Sequence, residues 1–338
     1  MTKMLTCTAA LQLYEQGKFS LEDKLSKYIP EFDEMKITTD ALNTENAAKI
    51  TTGGSFGEEA SVKAQGGYAK NPIKIIDLFT MQAGFDYVLG DPCFEQAREK
   101  GLTSTLDMVR SMSQKTLGFE PGTRFRYSLC HDVIGALIEI WSGKKFGDYL
   151  KENVFAPLGM NNTFFGVAKD EALLSKYAAR YTADSEGNVK RLPLACEYNL
   201  SEEYQSGGAG LSSCTQDYAI FLDALACGGI GKNGNRILKE ETVELMKTNQ
   251  LTGQSLEDFH QKRAGYGYGF GVRTHMDKCA SGSLSPVGEF GWDGAAGAFS
   301  MVDTKNRLSL TYFQHNHNWS VEIQSKMRNA LYSCFNEV

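Results

Sequence analysis

No run of 18 apolar residues occurs in this chain of 338 residues, so the sequence encodes no helical membrane span. Residues 1 to 20 have neither a basic lead nor a small-residue cleavage site, so they do not read as a secretory signal. Lysine and arginine nowhere form a block, and the formal net charge is -6. Nucleic acid and anionic membranes are therefore poor candidates as partners, and a small neutral or weakly charged ligand fits better. There is no CxxC pair and no zinc-like spacing among the eight cysteines, Cys7, Cys93, Cys130, Cys196, Cys214, Cys227, Cys279 and Cys334. Such scattered thiols read as reduced and mostly buried, which points to a cytoplasmic, reducing compartment, although an even count leaves disulfides formally open. Internal repeats and low-complexity segments are also missing.

What is present is enough apolar material for a large core. With 42% hydrophobic and 22% charged residues, the chain should fold as one big domain or two intertwined ones. It starts inside a helix: Met4, Leu5, Cys7, Ala9, Ala10, Leu11 and Leu13 put apolar groups on nearly every face, the pattern of a helix buried on all sides, and Gly17 stops it. Next, "SLEDKLSKYIPEF" carries a capping box from Ser20 to Asp23 and ends at Pro30. Thr38 to Lys70 is polar and reads as hairpin or loop. "NPIKIIDLFTMQAGF" is a helix punctuated by Pro72 and Gly84, and residues 92 to 184 are mostly helical in period. After Ser206, "GGAGLSSCTQDYAIFLDALACGG" leads into another buried helix. "YGYGFGVRTH", "FGWDGAAGAFSMVD" and "RLSLTYFQHN" alternate like strands, and "SVEIQSKMRNALYSCF" closes the chain as a helix. The expected class is α+β: an antiparallel sheet flanked by helices, with residues 1–70 and 206–338 forming the sheet domain and 71–205 a mostly helical insertion.

Several patterns resemble chemistry without its context. "GGSFG" around Ser55 fits G-x-S-x-G but lacks the strand before it and the apolar helix after it. Ser142 to Lys145 is an S-x-x-K at a helix end and reads as structural. "HNH", His315 to His317, offers two imidazoles and no third ligand, and reads as a solvated loop; no metal or organic cofactor is expected, since a lysine and a tyrosine would supply the proton transfers. "GYGYGFG" shares only its glycine content with a phosphate loop.

The opening "MTKMLTCTAALQLYEQGKFSLEDKLSKYIPEF", then "YSLCHDVIGALIEIWSGKKFGDYLKENVFAPLGM", "GGAGLSS" and "GWDGAAGAFSMVD" resemble, in order and over almost the whole chain, the serine β-lactamase-related family. That family comprises class C β-lactamases, DD-peptidases and family VIII carboxylesterases, and the resemblance implies a β-lactamase/transpeptidase-like fold. Its S-x-x-K motif aligns its last three positions with Met1, Thr2 and Lys3. The nucleophilic serine would be the residue directly before Met1, so the start reads as truncated. In the first turn of a helix such a serine lies near the positive dipole end, with the lysine three residues on sharing its face. The general-base role thus carries over to Lys3.

Tyr127 matches the tyrosine of Y-x-N, and the resemblance implies a phenol relaying protons beside Lys3. The third position of that motif is Leu129, which removes a substrate-binding amide. K-T-G aligns with Trp292, Asp293 and Gly294. Gly294 would let substrate approach the backbone, and the Ala295 N–H would be one oxyanion donor. A tryptophan and an aspartate in place of lysine and threonine disfavour anionic β-lactams and peptide C-termini and suit neutral acyl esters or amides. His131 and Asp132 are not expected to form a serine triad, since this family's base is lysine. The leading expectation is esterase-like acyl hydrolysis; the alternatives are an inactive chain keeping only a binding cleft, and a β-lactamase or DD-peptidase. Without upstream strands, "FGWDGAAGAFS" and "RLSLTYFQ" would expose backbone, so poor stability or self-association through that edge is expected.

Overall fold

The helix that opens the sequence is the axis of the molecule. In the computed structural model, which describes residues 1–38, 67–168, 170–194, 198–316 and 320–335, α1 spans Thr2–Glu15. Every residue from Thr2 to Leu11 is buried, because apolar groups on all sides leave no face for water. It stops at Gly17 as expected. The Gly17 N–H donates to the Tyr14 carbonyl and the Lys18 N–H to that of Leu13, a Schellman closure made possible by φ of +70° at Gly17.

Helix α2, Cys130–Ser142, packs along α1 with Val133, Ile134, Ala136, Leu137 and Ile138 in the shared core. The sheet lies beside α1. It consists of β1 Tyr266–Tyr268, β2 Arg273–His275, β3 Phe290–Gly291, β4 Phe299–Asp303 and β5 Leu308–Tyr312. Strands adjacent in sequence are adjacent in the sheet, and each pair is antiparallel, with Tyr266 opposite His275 and Phe299 opposite Tyr312. Helix α3, Thr215–Ala226, covers β4 and β5. Helix α4, Glu322–Ser333, contributes Tyr332 to a small second cluster with Phe299 and Met301.

Two stretches expected as single strands are hairpins. In "YGYGFGVRTH" the Gly269 N–H donates to the Val272 carbonyl and Gly271 turns at φ +74°. A Cβ on Gly271 would lie 2.6 Å from the Cys7 sulfur, so this glycine also lets the sheet close onto α1. In "FGWDGAAGAFSMVD" the chain reverses over residues 294–297, with the Gly294 N–H donating to the Ala298 carbonyl at 2.7 Å. Regular apolar alternation continues through such glycine turns, which is why period alone does not reveal them.

"SLEDKLSKYIPEF" forms two 3₁₀ turns, Leu25–Lys27 and Pro30–Phe32, instead of a helix. The Ser20 N–H does reach the Asp23 carboxylate at 2.8 Å. Helices follow at Ile75–Phe79, Pro92–Glu99 and Thr105–Ser111. A ribbon of Arg180–Ala183 with Val189–Leu192 interrupts the helical stretch. All seven described cysteines are free; Cys227, Cys279 and Cys334 are exposed, which corrects the expectation of mostly buried thiols. No described helix is long and apolar enough to cross a membrane. Strand β5 is an outer strand of its sheet, with no further strand beside it among the described residues.

Candidate active site

Lys3 enters the core from the first turn of α1 and is 1% exposed. Its side-chain nitrogen donates to the Gly208 carbonyl at 2.9 Å and to the Tyr87 hydroxyl at 3.4 Å. It also lies 4.5 Å from the ring centroid of Tyr127 and 5.1 Å from that of Tyr87. Lys3 makes no ion pair among the described residues; a carbonyl, a phenol and two ring faces surround its nitrogen.

The backbone of "GGAGLSS" makes this possible. A Cβ on Gly208 would fall 2.6 Å from Asp132 Oδ2, 2.8 Å from the Tyr87 oxygen and 3.1 Å from Lys3 Nζ, so only glycine fits between them. Asp132 is fully buried on α2; its Oδ1 accepts from the hydroxyls of Tyr204 and Ser206. Its Oδ2 has no hydrogen-bond partner among the described residues.

Three rings run in series from Lys3. Tyr87 stacks on Tyr127 at 5.6 Å and 10°, and Tyr127 stacks on Trp292 at 5.5 Å and 21°. The Trp292 indole N–H donates to the Tyr127 hydroxyl at 3.3 Å. Tyr127 therefore sits between Lys3 and the β3–β4 turn.

Sequence reasoning missed Tyr87, which no motif marks. Burial pushes its phenol well above the ordinary value, and Asp132 adds in the same direction. Its loop is pinned from behind: the buried Lys115 bridges Asp86 at 2.9 Å and Asp91 at 2.7 Å. An aspartate on each side of an aromatic segment was the one sequence signal, and its partner lies a helix away.

Leu129, at the foot of α2, is 1% exposed and packs into the main core. Gly294 and the exposed Ala295 form the tip of the β3–β4 turn. Asp293 departs from expectation. Its Oδ1 accepts from Arg273 at 2.9 Å and its Oδ2 from Arg263 at 2.6 Å. These two guanidinium groups, with Arg328 beyond, hold its carboxyl below the ordinary range against the effect of burial. The site therefore does not present a bare negative charge, and a cation that no motif announced, Arg263, lies 6.0 Å from the Trp292 ring centroid.

Among the decoys, Ser142 donates to the Ile138 carbonyl at the end of α2. His131 is buried between Cys7 and the Phe79 carbonyl, and burial, helped by Lys3, pushes it down to about 3. Among the described residues no group of three His, Cys, Asp or Glu side chains is placed to hold a metal. Ser55 and His317 lie outside the described residues.

The antiparallel sheet backed by α1, with Lys3 facing Tyr127 and the β3–β4 turn, defines a β-lactamase/transpeptidase-like protein. The Beta-lactamase family pattern matches residues 1–330, and the chain belongs to that family. It is 26% identical over 338 residues to Protein Rv1367c of Mycobacterium tuberculosis (strain ATCC 25618 / H37Rv), covering 95% of this chain and 78% of that protein. Among solved structures it is similar to EstCE1, a hydrolase with promiscuous acyltransferase activity, with a TM-score of 0.73, 24% identity and coverage of 98% and 83% of the two chains. The unliganded simvastatin synthase (LovD) of Aspergillus terreus superposes with a TM-score of 0.76 at 19% identity, covering 100% of this chain and 83% of that one.

Proposed function

We propose that this site transfers acyl groups from esters, by way of an acyl-enzyme on a serine standing directly before Met1. Lys3 is the general base and Tyr127 the relay. The serine oxygen attacks the ester carbonyl as its proton passes to the Lys3 amine. The C–O bond to the alcohol breaks as the proton returns to the leaving oxygen through the Tyr127 phenol. Water or a second alcohol then takes the acyl group by the reverse path. The Ala295 N–H would share the oxyanion with that of the serine.

The observation that carries this reading is a buried lysine whose hydrogen bonds among the described residues go to a carbonyl and a phenol, with a second phenol ring facing it. It can exchange a proton without breaking a salt bridge. The similar solved structures, a hydrolase with promiscuous acyltransferase activity and a synthase, support acyl chemistry.

A second reading, binding without turnover, is favoured for the 338 residues taken alone by the hydroxyls nearest Lys3 on α1. Thr2 Oγ1 accepts from the Leu211 N–H, and Thr6 Oγ1 donates to the Gly207 carbonyl at 2.7 Å, so both are engaged elsewhere. A p-nitrophenyl ester assay separates the two. Background rates from these 338 residues, and turnover once an upstream segment ending in serine is added, support acyl transfer; an inactive extended form leaves only the binding cleft. Lys3→Ala and Tyr127→Phe in the extended form should each abolish most of that turnover.

A further inference from the structure

The W-D-G turn is the exposed end of a chain of ion pairs. Arg328 on α4 pairs with Glu289 at 3.1 Å, and Glu289 faces Arg273 at 3.5 Å. Arg273 holds one oxygen of Asp293 and Arg263 the other. Three guanidinium groups thus share two carboxylates, and one positive charge is left over. Arg273 and Arg328 are buried, with side chains 1% and 5% exposed, whereas the Arg263 side chain is 20% exposed. The surplus charge therefore reaches solvent only through Arg263, beside Trp292 and at the far end of the ring series from Lys3. A guanidinium has five N–H donors in a planar fork, and the contact to Asp293, the one hydrogen bond of this side chain among the described residues, leaves most of them for a second carboxylate.

We propose that Arg263 is a specificity-determining residue that binds a carboxylate on the substrate, so that the favoured acyl donors are half-esters of dicarboxylic acids rather than neutral esters. This rests on the acyl-transfer reading and names the substrate class of that same site. Asp293 orients the fork, and Trp292 supplies the apolar wall along which the alkyl chain of the donor lies. The cation lost from the K-T-G position is thereby replaced from another segment, the loop ahead of β1.

The test is equilibrium binding to the 338-residue protein by calorimetry, comparing monoethyl glutarate and monoethyl adipate with the corresponding neutral diethyl esters. The half-esters should bind about tenfold more tightly than the diesters, with the preference falling as salt is raised. Arg263→Gln should erase the preference for half-esters; Arg263→Lys should keep part of it. Equal affinities for both ligand types, with both weakened by Trp292→Ala, would overturn the role of Arg263 while leaving the acyl site in place. If neither ligand binds, or binding ignores Trp292 and Tyr127, the reading of the site falls and the Arg263 assignment with it. Melting curves of each variant exclude loss of fold as the cause.

Discussion

Lys3 and Arg273 are both basic side chains only 1% exposed, yet the protein holds them by opposite means. Around Lys3 every partner among the described residues is neutral: the Gly208 carbonyl, the Tyr87 phenol and two aromatic faces. Around Arg273 there are two carboxylates and the Ser300 carbonyl. A guanidinium does not titrate in proteins, so the Arg273 network can only fix shape and charge. An amine among neutral acceptors can trade its proton. The two surroundings meet where Tyr127 stacks on Trp292.

Neutral replacement should separate these surroundings. In the serine-extended protein, Lys3→Met should cost about 10³-fold in ester turnover, within the range for general acid–base catalysis, while the melting temperature holds or rises because a buried polar group gives way to an apolar one of similar length. Arg273→Met should do the reverse to stability. It takes one of two guanidinium partners from each of Asp293 and Glu289 and should cost about 3 kcal/mol by denaturant unfolding. A Lys3→Met protein that melts far below the parent would erase the contrast.

Gly208→Ala probes the junction directly. The added methyl collides with Asp132, Tyr87 and Lys3, so turnover should fall by about 10²-fold through displacement of the base, with a smaller effect on KM. An unchanged rate would mean that the position of Lys3 is not critical.

The pH dependence of folding offers a smaller effect with a definite sign. Burial lowers His131 from 6.5 to about 3, so between those values the unfolded chain binds a proton that the folded chain refuses, and stability rises with pH across that window. Asp77 acts oppositely. Burial raises its carboxyl from 3.8 to about 6, so the folded chain holds the extra proton there and stability falls as pH rises through that interval. The two partly cancel in the parent. His131→Gln should therefore uncover a stability that declines from pH 4 to 6, measurable by urea unfolding; a curve that still rises with pH would rule out His131 as the group responsible.

For the outer strand β5 we propose self-pairing. Size-exclusion chromatography should show a concentration-dependent dimer that a Leu310→Lys substitution reduces, and a monomer with cooperative melting at all concentrations would remove that proposal.

Much of this site was legible because its motifs are local. α1 reveals itself by apolar residues on every face, and Lys3, Tyr127 and Trp292 follow from short spacings read against the family resemblance. The residues that escaped come from loops set in place by distant partners. Tyr87 is held by Lys115 and its two aspartates, and Arg263 by Asp293. The charge of Asp293 was misjudged for the same reason: its sign is in the sequence, but its two neutralising arginines lie 20 and 30 residues upstream. The hairpins at residues 266–275 and 290–303 were hidden because glycine turns preserve a two-residue alternation.

The most direct measurement is intact mass after exposure to a fluorophosphonate probe, made on the serine-extended protein and on its Lys3→Met variant. One adduct on the added serine, formed rapidly only when Lys3 is present, is expected. Labelling at the same rate without Lys3, or a stoichiometric adduct on the 338 residues alone, would contradict the assignment of Lys3 as the base for an oxygen placed ahead of Met1.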